Sequence, residues 1–344
     1  MAKEVIFTGL RANNELHIGN YFGALLPIID MAKKHSDKYE VNLMVADLHS
    51  FTTPIDHAML RAQIMRNLRV YAAAGLPLDK PSIRVFRQSY ISAHSELAWI
   101  LDCFTGMGEL SRMTEFKDKS TKVGAERINV GLFNYPALMA ADVLLHNGLY
   151  VPVGDDQTQH LEYMRDIATR MNKMFNQSLF VVPEPVSNQH KFFNKDQGLR
   201  IRDLLNPTKK MSKSDETGSG VVFLADDPVL AVSKIQRAAT DSEANIRFDF
   251  EKQPGVSSLL QMLALLGGRP QEEVNSQWEG KTSYGDLKQA VANTVGEFLT
   301  DFQAKLAALD ETKLIQKLEA DEVAMNKVAN ETLRRVQKAV GLRP

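Results

Sequence analysis

The chain has 344 residues, 44% hydrophobic and 24% charged, so it can bury a large core and hold two domains. A formal net charge of -1 gives no reason to expect a general attraction to nucleic acid, and any RNA contact must come from a local basic patch. The single cysteine excludes an internal disulfide and suits a reducing compartment. No stretch approaches the roughly 18 apolar residues of a membrane span, so we expect a cytosolic protein without a membrane partner.

In the first half of the chain, short β-rich runs alternate with long helical patterns, which is typical of a parallel sheet wrapped by helices. The predicted strands are residues 5–8, 41–46, 83–86, 149–153 and 179–182. Apolar residues three and four apart predict helices at 20–34, 57–74, 93–104, 130–145 and 157–175. Residues 1–185 are therefore predicted to form an α/β, doubly wound, Rossmann-like domain with ligands at the carboxyl ends of its strands. Cys103, within the apolar run 97–104, is predicted to be buried.

The pattern changes in the second half of the chain. Residues 186–222 are rich in Lys, Asn, Gln and Ser, and we interpret them as a mobile surface loop. Helical spacing then recurs at 229–239, 257–266, 287–309 and 314–340, without a convincing strand. Residues 223–344 are therefore predicted to form an all-helical C-terminal domain, and a return of the chain to the first domain near its end stays open.

Two distant elements contain the residue types of a nucleotide site. The first strand leads through Gly9 to His17, Gly19 and Asn20 at the start of a helix. There, free backbone N–H groups favour phosphate, and glycine permits close approach of a nucleotide. The second element, residues 209–215, places several lysines on a small-residue loop that suits a pyrophosphate leaving group. Taken alone, the first could equally be a helix cap and the second a solvated charge run.

Together these elements resemble the paired signature motifs of class I aminoacyl-tRNA synthetases. Residues 210–214 match the KMSKS motif at all five positions, and residues 17–20 match the HIGH motif with asparagine last, as is usual in the tryptophanyl branch. Stretches similar to bacterial-type tryptophanyl-tRNA synthetases are residues 45–49, 88–101, 108–114, 135–142, 151–157 and 240–243. The resemblance implies ATP-dependent activation of L-tryptophan with release of pyrophosphate, followed by transfer to the 3′ end of tRNA(Trp).

The residue spacing also predicts a receptor for an indole ring. Met139 and Asp142 are three residues apart on a predicted helix, so a carboxylate acceptor shares a face with a polarizable thioether. An acid in this largely apolar run is costly to bury without a partner, and a cap or a structural ion pair is the alternative role. By resemblance, Asp142 accepts the indole N–H. The resemblance implies that the rest of the tryptophan site is Phe7, Gly9, His49, Met139, Val151, Val153 and Gln157.

The resemblance further implies an ATP site and its catalytic groups. The ATP-binding residues would be Arg11, His17, Gly19, Asn20, Gly154, Asp156, Lys210, Met211, Ser212 and Lys213. Catalysis would rest on positioning and charge stabilisation, without a protein nucleophile. The catalytic residues would be His17, Lys119, Lys210 and Lys213. The sequence predicts no metal site made by the protein, and Mg²⁺ would be held mainly by the phosphates of ATP.

Arg11 and Glu115 depart from the bacterial pattern, because each stands where glutamine is common, and we hypothesise that they pair. Two alternative functions stay open. One is a tyrosyl-type synthetase, which shares fold and signatures, and the other is a catalytically silent paralogue that binds tryptophan or tRNA. The resemblance also implies a homodimer and an anticodon-binding helical domain. Basic candidates for RNA contact in that domain are Lys281, Lys288, Lys305, Arg334, Arg335 and Lys338.

Overall fold

A four-stranded parallel sheet with strand order β3-β2-β1-β4 organises the molecule. The structure is a computed structural model, and it describes residues 3–13, 15–117, 128–152, 154, 157–193, 201–212 and 218–344. The strands are β1 Val5–Leu10, β2 Glu40–Val45, β3 Ile83–Arg87 and β4 Gly148–Tyr150. The two inner strands have nearly continuous buried side chains, as expected for a parallel sheet covered on both faces.

Helices follow and cover these strands. In chain order they are α1 Ile18–Asn20, α2 Leu26–His35, α3 Leu60–Ala73, α4 Ala93–Cys103, α5 Met107–Ser111, α6 Val130–Leu145, α7 Thr158–Met174, α8 Val186–Phe193, α9 Pro228–Gln236, α10 Pro254–Leu266, α11 Gln271–Trp278, α12 Tyr284–Ala307 and α13 Glu311–Ala339. A π-helical turn, Tyr21–Leu25, joins α1 to α2. The predicted α/β class with a helical C-terminal part is confirmed. Along the described ranges, no helix is both long and apolar enough to cross a membrane.

Ile6 and Phe7 on β1 show how the two faces of the sheet are covered. Ile6 belongs to a core cluster that includes residues of α3 and of α9 to α12. Phe7 belongs to a second cluster that includes residues of α4, α6, α7 and the later part of α13. Alternating side chains of one strand thus enter opposite cores. The helical second half of the chain packs directly on the sheet that carries the predicted site.

The predicted fifth strand at 179–182 is wrong. These described residues form no strand because side chains take up their backbone groups. The N–H of Phe180 donates to Asn172 Oδ1 at 2.9 Å, and its carbonyl accepts from Asn172 Nδ2 at 2.9 Å. The carbonyl of Leu179 accepts from Arg335 Nε at 3.1 Å. Side chains therefore take the place of ladder partners at Leu179 and Phe180.

Two other expectations are corrected by the fold. The segment interpreted as a surface loop begins instead with helix α8, whose Phe192 stacks on Tyr150 with ring centroids 3.8 Å apart. Cys103 is exposed, because it lies on the outer face of α4. The prediction failed because the apolar composition of residues 97–104 indicates that the helix is largely buried, but it does not show which of its faces meets solvent.

Helix α13 returns to the sheet and covers the edge strand β3. The N–H of Val85 donates to Asp321 Oδ2 at 2.8 Å, and the N–H of Arg87 donates to Glu322 Oε1 at 3.2 Å. Both carboxylates also form ion pairs, Asp321 with Arg84 at 3.1 Å and Glu322 with Arg87 at 2.6 Å. The two acids therefore satisfy edge N–H groups that would otherwise be open to another strand.

Replacing Asp321 by Ala tests this carboxylate clamp. Asp321 is 1% exposed, so Asp321→Ala leaves a backbone N–H and two basic side chains without their shared acceptor. We expect the free energy of unfolding in urea to fall by about 3 kcal/mol. Asp301→Ala removes an exposed pair with Lys305 and serves as the control, with a change below about 1 kcal/mol. Equal changes in the two variants would contradict the clamp.

Candidate active site

A cavity of about 300 Å³ lies where the carboxyl ends of β1 and β2 meet helix α6 and the chain that follows β4. Its size is at the lower end of small-molecule sites, which suits an amino acid side chain. Predicted tryptophan-site residues on its wall are Phe7, Gly9, His49, Met139, Asp142, Val151 and Gln157. Gly154, predicted for ATP, also lines it. The sequence had not assigned Thr8, Met44, Ala46, Tyr135, Val143 and Pro152.

Asp142 is the buried charge of this cavity, with 2% of its surface exposed. Its Oδ1 accepts from Gln88 Nε2 and from His94 Nδ1, both at 2.7 Å, and its Oδ2 contacts His49 Nε2 at 2.8 Å. Burial alone would raise the pKa of Asp142, but the hydrogen bonds from His49 and His94 outweigh it and hold the pKa well below its usual range. The cavity therefore contains an ionised acceptor at neutral pH.

His17 begins helix α1 beside the carboxyl end of β1. Its Nδ1 accepts from the N–H of Asn20 at 3.2 Å, and Asn20 Oδ1 accepts from the N–H of His17 at 3.2 Å, which forms a reciprocal capping box. Burial, with the positive charges of Arg11 and Lys210, lowers the pKa of His17 to about 4. A neutral ring whose Nδ1 accepts must have its proton on Nε2. His17 can therefore donate this N–H to a ligand oxygen.

The described part of the lysine loop, residues 209–212, lies near His17. The N–H of Ile18 donates to the carbonyl of Val222 at 3.0 Å, so the chain just after the loop pairs with the start of α1. On the other side of the loop, Met211 is 1% exposed, and its Cβ lies 3.5 Å from where a Cβ on Gly19 would stand. The same Cβ would stand 3.0 Å from the ring of His17. A Cβ here would make ordinary contact with Met211 but would press on the ring of His17, so glycine leaves the ring in place.

Some predicted site residues cannot be placed. Lys119, Val153, Asp156 and Lys213 lie outside the described residues. Arg11 is placed by its backbone, whose N–H donates to the Tyr71 hydroxyl at 3.1 Å, and its side chain is exposed. Its pairing with the half-buried Glu115 stays a hypothesis, and additive effects of single replacements on adenylate formation would refute it.

Sequence reasoning missed three buried groups behind the cavity, Gln88, His94 and His146. Gln88 follows strand β3, and the carboxyl end of a parallel strand is a position that signals a ligand site. His146 comes one helical turn after Asp142, so spacing places both on one face of α6. Nothing in the sequence links His94 to either residue, because the contact joins α4 to α6.

Replacing His17 by Asn tests its neutral state, since Asn retains a cap acceptor but does not titrate. The folded chain disfavours protonation of His17, so protons bind first to the unfolded chain. We compare the free energy of unfolding of the native protein with that of His17→Asn. The difference is expected to be constant above about pH 6.5, and between there and pH 4 the native protein should lose about 3 kcal/mol relative to the variant. Urea unfolding of both proteins across this range measures it. A difference that does not change with pH would contradict the assignment.

Comparison with known proteins gives the family. Residues 2–300 match the family described as tRNA synthetases class I (W and Y). Tryptophan-tRNA ligase of Caldanaerobacter subterraneus subsp. tengcongensis is 43% identical over 337 residues, 98% of each chain. Tryptophanyl-tRNA synthetase of Mycoplasma pneumoniae has a TM-score of 0.80 and 34% identity, covering 99% of this chain and 98% of that one. The Campylobacter jejuni enzyme complexed with ADP and tryptophan has a TM-score of 0.78 and 27% identity, covering 98% and 100%. This chain belongs to the class I tRNA synthetases of the tryptophan and tyrosine group.

Proposed function

We propose that the chain is a tryptophan-tRNA ligase, which activates L-tryptophan with ATP and transfers it to the 3′ end of tRNA(Trp). Similarity to tryptophan enzymes over nearly the whole chain supports this. The observation that carries the assignment is the ionised Asp142 on the wall of an otherwise largely apolar cavity. An indole offers one N–H donor and a large apolar surface, which match this acceptor and these walls.

Tryptophan would enter with its indole N–H directed at Oδ2 of Asp142. Met139 and Phe7 supply polarizable and aromatic surface for the ring, and Val151, which is 3% exposed, closes one side. Gln157, which lines the cavity, would contact the polar groups of the amino acid, as the family resemblance implies. His49 was expected to share that task, and in the structure its Nε2 contacts Asp142. A carboxylate oxygen has two lone pairs, so Oδ2 can accept from His49 and from the indole together.

Activation joins tryptophan to ATP. A carboxylate oxygen of tryptophan attacks the α-phosphorus, the bond to the β-phosphate bridge breaks, and pyrophosphate leaves. ATP enters with Mg²⁺ held mainly by its own phosphate oxygens. His17 donates its Nε2–H to a phosphate oxygen, and Lys210 stabilises the charge that grows on the leaving group. Lys119 and Lys213 complete the predicted cationic set.

Transfer to tRNA follows in the same site. A hydroxyl of the 3′-terminal ribose attacks the carbonyl carbon of the adenylate, and AMP leaves with the bonding electrons. We propose that the helical residues 223–344 bind the anticodon. Of the basic candidates, Lys305 is paired with Asp301, Arg335 donates to the Leu179 carbonyl, and Lys281 lies over the Trp278 ring. We therefore favour Lys288, Arg334 and Lys338. We place the enzyme in the cytoplasm, where tRNA is charged for translation.

The family resemblance also leads us to propose a homodimer. The outer face of α4 carries Trp99, which is 71% exposed, and exposed Cys103 follows one turn later. Met107, at the start of α5, is 73% exposed. Large apolar side chains on one outer surface suit burial against a second copy. Sedimentation equilibrium of the native chain tests this, since the mass of two chains is expected and the mass of one would refute it.

Tryptophan-dependent exchange of labelled pyrophosphate into ATP tests the proposed activity. We expect Lys210→Ala to lower kcat for exchange about 100-fold, because the variant loses one cation that stabilises the pyrophosphate leaving group. Lys209→Ala, at the neighbouring exposed lysine, is the matched control and should stay within about threefold. Exchange driven by tyrosine would refute the specificity. Tryptophan binding without any exchange would indicate the silent paralogue.

A further inference from the structure

Three fully buried side chains, Gln88, His94 and His146, surround the carboxylate of Asp142 without lining the cavity. Gln88 and His94 occupy Oδ1, and His146 Nε2 lies 3.2 Å from His94 Nε2. The four residues thus form one connected chain of polar groups. Phe7 stacks on His146 at 5.8 Å, with the ring planes 10° apart, and so joins this chain to the cavity wall.

Hydrogen bonding fixes the direction of every donor in this chain. The N–H of Leu48 donates to Gln88 Oε1 at 3.1 Å, so the amide of Gln88 turns its Nε2 donor to Asp142. His146 Nδ1 has no partner among the described residues, and burial lowers the pKa of His146 well below its usual value. A neutral ring leaves a bare nitrogen there at less cost than an unpaired N–H, so its proton is on Nε2. His146 then donates to His94 Nε2, and His94 donates from Nδ1 to Asp142.

We propose that His94, oriented by His146, acts with Gln88 as a positioning residue that reserves Oδ1 of Asp142 and presents Oδ2 to the indole N–H. The proposal rests on the proposed function. It assigns part of the selectivity for an N–H-bearing ring to groups that do not touch tryptophan. Without the donors on Oδ1, the carboxylate is free to turn, and its second oxygen competes for any donor entering the cavity.

A pair of amide replacements at His94 tests the proposal. Asn places its amide N–H near the position of Nδ1 and can still donate to Asp142, whereas Gln places it near Nε2, toward His146. Activity is measured as kcat/KM in pyrophosphate exchange, with tryptophan and with its benzothiophene analogue, in which sulfur replaces the ring N–H. The analogue cannot use the acceptor, so it reports any general damage to the cavity.

We expect His94→Gln to lower kcat/KM for tryptophan about 30-fold, mostly through KM, while the analogue changes less than about threefold. His94→Asn should recover most of the loss, and the KM for ATP should not change. Equal losses with both substrates, or Asn no better than Gln, would overturn the proposal and leave a structural role. If His94→Gln does not fold, Gln88→Met removes the other donor to Oδ1 and gives the same comparison.

Asp142→Asn separates failure of this inference from failure of the proposed function. If Asp142→Asn keeps the native preference for tryptophan over the analogue, Asp142 is not the indole acceptor and the proposed site is wrong. If Asp142→Asn abolishes the preference while His94→Gln retains it, the indole contact stands and only the positioning role is refuted. Loss of the preference in both variants supports both proposals.

Discussion

A buried carboxylate needs hydrogen-bond donors, and Asp142 is only 2% exposed. Much of the fold serves to bring those donors to it. Its donors come from the turn after β2, the turn after β3 and the first turn of α4. Parallel strands bring their carboxyl ends to one edge, so the first two donors meet there. Helix α6 supplies the acid and α4 the third donor, and these helices pack together in one core. The Asp142 carboxyl is ionised because the sheet and these helices bring its hydrogen-bond donors together.

The proposed ATP site depends on a second meeting of distant chain segments, around His17. His17 is held by its own capping box, by an isolated antiparallel bridge to Phe223, and by the approach of Met211 to Gly19. Described residues before and after positions 213–217, Met211 and Phe223, therefore both lie beside the start of α1. Burial is the main reason that the pKa of His17 is lowered, and the positive charges of Arg11 and Lys210 add to it, so charges that suit pyrophosphate also help to keep the ring neutral. Gly154, which the family resemblance assigns to ATP, lines the cavity that contains Asp142.

Local rules predicted much of this arrangement from the sequence. Spacing alone placed Met139 and Asp142 on one face, and the His17 to Asn20 segment correctly predicted a helix start. Long-range pairing was out of reach: Gln88 and His94 reach Asp142 across 54 and 48 residues, and no period connects them. The false fifth strand had the right composition, but Asn172, eight residues earlier in helix α7, took up the backbone N–H and carbonyl of Phe180. Side chains that replace ladder partners leave no signal in the strand's own sequence.

One geometry is central: the indole N–H meets Oδ2 of Asp142, beside His49, while the triphosphate lies between His17 and Lys210. A crystal structure with tryptophan and a non-hydrolysable ATP analogue measures it directly. We predict the indole nitrogen about 3 Å from Oδ2 of Asp142, with His94 and Gln88 still on Oδ1. An indole that turns its nitrogen away from Asp142, or a triphosphate bound far from His17, would contradict the account.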